Sequence, residues 1–308
     1  MAINVNTLPA YVEEHRLPLI RTAVLGAKSA ELFQLMTDVK GDTAMNILST
    51  TVKFADGATC GFNDPSTSEL SQRIIHPGYI KVQAEWCDKT LLKKWTQYAV
   101  EIGANRKSLP FEEDFVNGVL DQIKQNVEVA IWQGDKTKAA TDPNLGQFDG
   151  LIKTIGAAAG VIKTTFSEGA TITSIVNDIY AKIPTKAYSK GEVCIFMGTD
   201  SYRKLVQEYI ANSNIVVTNA VNDVAMPDSM LMPGTNCRIY GVPGLDNTDK
   251  FFGSYKDNFV YATDLMSNSE TFDLWYSQDN RSHRMEVSFV AGADVQFPDL
   301  VVMASEQA

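Results

Sequence analysis

Residues able to do chemistry are few in this sequence and stand far apart. The histidines are His15, His76 and His283, and the cysteines are Cys60, Cys87, Cys194 and Cys237. A zinc site needs paired ligands at short spacing, and a metalloprotease needs H-E-x-x-H on one helix face. Neither pattern occurs. A nucleophile elbow (G-x-S-x-G), a phosphate loop (G-x-x-x-x-G-K-[ST]) and a dinucleotide fingerprint (G-x-G-x-x-G) are also missing. Gly156-Ala157-Ala158-Ala159-Gly160 is small and flexible, but it lacks the Lys-Ser/Thr that would hold phosphate and magnesium. Asn280-Arg281-Ser282 matches a glycosylation acceptor, yet no basic stretch followed by an apolar run marks the N-terminus for secretion. The expectation is therefore no catalytic residue, no metal and no cofactor, with reduced and mostly buried thiols in a cytosolic setting.

Composition narrows the class. The 308 residues are 44% hydrophobic and 21% charged, as in ordinary globular chains, and no apolar run is long enough to span a bilayer. The net charge of −10 argues against general affinity for nucleic acid, which needs a basic footprint. Residues 246–308 hold 11 acidic and 4 basic side chains, whereas Lys89, Lys93, Lys94, Arg106 and Lys107 make 88–107 locally basic. Such runs usually just face water; alternatively, opposite patches meet between copies of the chain.

The elements follow from periodicity. Residues 1–40 read as short helical pieces broken at Pro9, Pro18 and Gly26, with Ser29 capping a turn that holds Leu32, Phe33, Leu35 and Met36. Leu48, Thr50, Val52 and Phe54 alternate with polar residues and predict a strand. A turn-rich stretch at 61–68 follows, and Ile80, Val82, Ala84 and Trp86 predict the returning strand of a long hairpin. A 14-residue arm of that kind would reach about 46 Å at ~3.3 Å per residue. The whole globule has a radius of gyration of only ~19 Å. An isolated hairpin is marginal in water, so it needs another surface, and a second copy offers one.

Pro110 to Gln133 carries apolar residues at helical spacing, with Glu112, Glu113 and Asp114 at its positive end and Gly134 as a left-handed stop. Residues 91–102 are expected to be helical as well. Further helices are expected around 172–183, ended by Pro184, and 202–210, capped by Thr199 or Asp200. Strands are expected at 193–197, 215–217, 238–240, 251–253, 259–262, 271–275 and 284–289. The class is α+β with one α/β-like subdomain.

In this order the parts resemble the major capsid protein of tailed bacteriophages, the Hong Kong 97-like fold. Local strings are similar to capsid proteins of phages that infect gut Bacteroides-type bacteria. They are Cys60-Gly61-Phe62-Asn63, Ser71-Gln72-Arg73, Ile80-Lys81-Val82, Glu85-Trp86-Cys87, Leu91 to Tyr98, Ile131-Trp132-Gln133-Gly134-Asp135 and Phe148-Asp149-Gly150-Leu151-Ile152. The resemblance implies an N-terminal arm at 1–45 and an extended loop at 46–87. It also implies a peripheral domain at 88–155 and 255–308 with spine helix 110–133, and an axial domain at 156–254.

It further implies hexamers and pentamers closing into an icosahedral shell around double-stranded DNA held without sequence-specific contacts. The chain would then reside in the virion after assembly in the host bacterial cytoplasm, with a scaffolding protein, a portal and decoration proteins as partners and no membrane. The chain starts at Met1 directly before the arm, so scaffolding is expected to be a separate protein or unnecessary. Under this resemblance Phe54, Phe62 and Tyr79 are candidate anchors on a neighbouring subunit, and Arg73 a candidate charge-assisted contact. Lys81 is a further interface candidate; some relatives join a loop lysine to a neighbour's asparagine, but Lys53 and Lys81 read as ordinary surface lysines here. An encapsulin-like compartment and a soluble α+β enzyme of unknown reaction are the alternatives.

Overall fold

The computed structural model describes residues 24–54, 67–87, 111–212, 229–264, 271–280 and 282–307. Expectations for residues 1–23, the 55–66 turn with Phe62, the 88–110 connector and the 215–217 strand lie outside them.

The longest described helix, α2 (Phe111–Gln133), runs about 34 Å at ~1.5 Å per residue. The short helix before it in the chain is α1 (Lys28–Leu32). Val116, Leu120, Ile123, Val127, Ala130 and Ile131 make a buried stripe along α2, while Asn117, Asp121, Gln122 and Gln125 on the other face are exposed.

Two sheets share the core. One is five-stranded, made of β1 (Gln34–Met36), β4 (Gly78–Cys87), β10 (Phe259–Thr263), β11 (Thr271–Ser277) and β12 (Ser282–Val295). The strand β12 ties it together: residues 282–291 pair antiparallel with β4, 282–288 with β11 and 291–295 with β10.

The other sheet has six strands in the order β5 (Ile162–Phe166), β13 (Val302–Glu306), β9 (Lys250–Tyr255), β6 (Val193–Gly198), β8 (Arg238–Val242) and β7 (Ser229–Leu231). Every residue of β6 is buried, because both faces of this strand are covered. Cys194 and Phe196 point into the core under α2. Val193, Ile195 and Met197 point into a second core under α4 (Ile172–Lys182) and α6 (Thr199–Asn212). The helices α3 (Leu151–Ala157) and α5 (Thr185–Lys190) are described as well.

The sequence expectations meet several differences. Ser29 does not cap its helix: Ala27 holds that position without a side-chain bond, and Gln34–Met36 is a strand lying parallel to β10. Leu32 and Phe33 are buried, and the interior they enter sets the end of this short helix. Gly134 is not left-handed. It is glycine because a Cβ there would lie 2.6 Å from the carbonyl oxygens of Ala130 and Phe148.

The return strand of the hairpin is β3 (Thr67–Ile75), paired antiparallel with β2 (Thr43–Thr51). Ile80 to Trp86, expected to make that return, instead belongs to β4 of the five-stranded sheet. Alternation marks a strand but not its partner, and Ile80 and Val82 find a core to pack on. The final segment likewise divides, since β13 leaves the company of β10–β12 and inserts between β5 and β9.

Candidate assembly interface

The β2–β3 hairpin has two unlike faces. Cross-strand partners share a face, so Met45 lies with Arg73, and Thr43 with Ile75. Met45 and Ile75 are buried against Val39, Val260 and Ala262, which roots the hairpin on β10. Arg73 closes that root. Its Nη2 donates to Asp294 Oδ1 at 2.7 Å and its Nε to Asp294 Oδ2 at 3.0 Å, a bidentate fork with an almost buried carboxylate.

The opposite face pairs Ala44 with Ile74, Asn46 with Gln72, Leu48 with Leu70 and Thr50 with Ser68. Leu48 and Leu70 are each 67% exposed and Ile74 is 50% exposed. Just past the end of β2 at Thr51, Val52 is largely and Phe54 fully exposed. Burial of that row against another surface would release roughly 1.5–3 kcal/mol for each large side chain fully covered. Gln72 Nε2 donates to Asn46 Oδ1 at 2.9 Å and Ser68 Oγ to Thr50 Oγ1 at 3.3 Å, so hydrogen-bonded polar rungs alternate with the apolar ones.

The five sequence candidates thus fare differently. Phe54 is fully exposed just past the end of β2, and Phe62 lies outside the described residues. Arg73 makes its charge-assisted contact inside its own chain. The Tyr79 hydroxyl donates to the Lys40 carbonyl, leaving the ring largely exposed. Lys81 pairs with Glu286 at 3.2 Å on the outer face of the five-stranded sheet. Leu48 served in the sequence only to mark a strand. Leu70 and Ile74 were hidden because 67–75 carries enough Ser, Gln and Arg to resemble a loop; their signal was the alternation Leu70, Gln72, Ile74.

On the part of that outer face made by β4, β11 and β12, the side chains are mostly polar, with Tyr79 and Trp275 as exposed aromatics. Glu85 accepts from Ser282 Oγ at 2.5 Å and from Arg284 Nε at 3.3 Å, and the Ser282 bond leads in lowering its pKa. Glu286 is lowered chiefly by the Gln83 amide. A groove here is lined by Gln83, Glu85, Trp275 and Arg284.

The two strings around Trp132 and Phe148 meet in space. A Cβ on Gly150 would lie 2.6 Å from Gly134 N and 2.7 Å from Trp132 O, so both glycines permit a close backbone crossing. Beside it, Lys153 Nζ lies 2.7 Å from both Asp135 and Asp149. The Asp135 contact, then Asp149, raises the Lys153 pKa, and Lys153 leads in lowering Asp135. Lys153 thus binds both carboxylates beside the crossing. It is an electrostatic clamp.

Cys194 and Cys237 are buried free thiols; burial pushes Cys237 up to about 12, so neither is an activated nucleophile. Among the described residues no group of three or more His, Cys, Asp or Glu is arranged to hold a metal, and no helix is long and apolar enough to cross a membrane.

No protein-family model and no curated protein matches the sequence. Solved structures do match. The chain is similar to the satellite phage P4 procapsid including size determination (Sid) protein, with a TM-score of 0.63 and 11% identity over 95% of this chain and 91% of that one. It is similar to the capsid of an empty GTA particle, with a TM-score of 0.60 and 12% identity over 93% and 90%. It is also similar to a virus-like particle from Pyrococcus furiosus, with a TM-score of 0.53 and 11% identity over 94% and 98%.

The architecture is therefore that of shell-forming proteins. More narrowly, it is the Hong Kong 97-like fold of tailed-phage major capsid proteins.

Proposed function

We propose that this chain is the major capsid protein of a tailed phage, and that it self-assembles as hexamers and pentamers into an icosahedral shell around double-stranded DNA. One observation carries the reading: a hairpin rooted by buried contacts and an Arg73–Asp294 fork projects a row of uncovered apolar residues. A lone chain leaves that row in water. A neighbouring copy covers it, and many modest contacts of this kind close a shell. The fold shared with phage capsids supports the same conclusion.

Within this reading, residues 1–45 are the arm and 46–87 the extended loop, its two-stranded part ending at Ile75. The peripheral domain holds α2 and the five-stranded sheet. The axial domain is built on the six-stranded sheet, including β13, and surrounds the symmetry axes. Phe54, Leu48, Leu70 and Ile74 are the contacts to a neighbour. The chain acts structurally rather than catalytically. Scaffold, portal and decoration proteins are its further partners, and the net charge of −10 suits a wall that does not trap DNA.

An encapsulin-like shell around a protein cargo is the second reading, since likeness to a virus-like particle supports a shell whatever it encloses. Negative-stain microscopy of the expressed chain tests the main proposal, with closed particles expected. A folded chain that stays monomeric at high concentration, alone and with its scaffold, would falsify it. Particle contents purified from the native source separate the two readings: nuclease-protected double-stranded DNA supports the capsid, and a protein cargo without DNA supports the compartment.

A further inference from the structure

The leading described segment is fastened to the spine helix through one buried carboxylate. Glu128, in the C-terminal part of α2, is 4% exposed. Its Oε2 accepts from the Ser29 backbone N–H at 2.8 Å, and its Oε1 from the Ser29 hydroxyl at 2.6 Å. The Gly244 N–H, in the turn after β8, bonds to the same carboxylate. The Ser29 oxygen in turn accepts from Trp132 Nε1 at 2.7 Å. Three stretches far apart in sequence therefore meet on one ionisable group. An apolar side chain could fill this space without the cost of burying a charge, so a glutamate here makes the contact depend on a proton.

We propose that Glu128 is a proton-operated latch that sets how firmly residues 24–33 lie on the spine helix.

Charged and polar groups reach this region from each element packed on it. From α1 come the cation Lys28, whose Nζ donates to the Gly241 carbonyl at 2.6 Å, and the acid Glu31. From α2 come the Trp132 indole and, one turn earlier, Lys124, paired with Asp121 at 2.9 Å. The turn after β8 brings Asp246, which accepts from the Thr199 N–H at 2.5 Å. The sheets contribute Tyr240, stacked on Phe196, and Tyr261, whose hydroxyl donates to the Val24 carbonyl at 3.2 Å. Burial pushes the Glu128 carboxyl up, and the Ser29 bonds, the Gly244 N–H and Lys28 oppose it without cancelling it. Lifting the segment wets the carboxyl and returns it toward an ordinary value. Docking is then tightest below the ordinary carboxylate range and weakens as pH rises through the raised, docked value.

Hydrogen exchange on the full, unassembled chain from about pH 4 to about pH 8 tests the latch, with each amide corrected for intrinsic rate and referred to β6. Extra protection of 24–33 is expected on the acid side, falling through a single titration by roughly tenfold for each unit by which docking displaces the pKa. Glu128→Gln keeps the shape and a carbonyl acceptor but cannot titrate, so its profile should be flat. Lys28→Met removes the cation that favours the ionised form, so its titration should move to higher pH. A flat wild-type profile, or an unchanged titration in Glu128→Gln, overturns the proposal. Should Glu128→Gln not fold, an unmoved midpoint in Lys28→Met overturns it instead. The measurement needs no assembly, so the latch and the shell proposal stand or fall separately.

Discussion

Arg73 shows how one side chain commits to the inside of its own chain. Its fork leaves Asp294 with both oxygens engaged, one of them also by the Val295 N–H at 2.8 Å. Arg73→Met would strand that carboxylate with little but its neighbour's amide. The expected loss is about 1–3 kcal/mol, read by urea unfolding, with Asp294→Asn costing less because a neutral amide tolerates burial better. The Gly134–Gly150 crossing makes a second residue-scale case. Gly150→Ala puts a methyl 2.6 Å from a backbone nitrogen, and a cost of about 1–3 kcal/mol is expected from the forced shift.

The hairpin behaves differently from the elements beneath it. Helix α2 and strand β6 earn their stability inside the chain, whereas the outer face of β2–β3 gains little until something covers it. Leu48→Glu with Leu70→Lys should leave the unfolding midpoint of the monomer almost unmoved, within about 0.5 kcal/mol, because both side chains already face mostly water and the new charges attract across the strands. The same pair should abolish particles by light scattering and microscopy, since two desolvated charges oppose the contact. Unchanged assembly would move the interface away from this face. Another device lies between elements: Glu208 of α6 accepts from the Ile172 and Thr173 N–H groups at 3.0 and 2.8 Å, satisfying orphan donors at the start of α4 and locking the two helices over the second core.

Across the whole molecule, the six-stranded sheet is the wall between two cores. Phe196 lies among Phe33, Trp132, Tyr240 and Phe259, so Phe196→Ala should cost about 3–5 kcal/mol by denaturant unfolding. Acid response is also a property of the whole. The Lys182 bond leads in lowering Asp178, as Lys153 does for Asp135. Carboxyls lowered by folding add stability that is complete above their unfolded values and lost as pH falls through the depressed ones. Stability should therefore stay level through neutral pH and drop below about pH 4, followed as the thermal midpoint against pH. Glu128, shifted the other way, favours acid, and its effect should show in the leading segment before the rest.

The sequence by itself determined which stretches are helix and strand wherever the apolar pattern is complete within the stretch: the stripe of α2, the doubly buried run of β6, the alternation of Met285, Val287 and Phe289. It also carried the order of parts on which the capsid resemblance rests. Only the tertiary structure decided who pairs with whom. Period-two alternation in 80–86 fits a hairpin return and an inner-sheet strand equally well, and β12 at the end of the chain, about 200 residues on, made the choice. Ser29 reads as a cap and nothing in its own stretch marks Glu128, yet folding brings them to 2.6 Å. Local spacing encodes which faces are apolar. Partnership between distant segments is set by the free energy of closing one shared interior, which no short window of sequence contains.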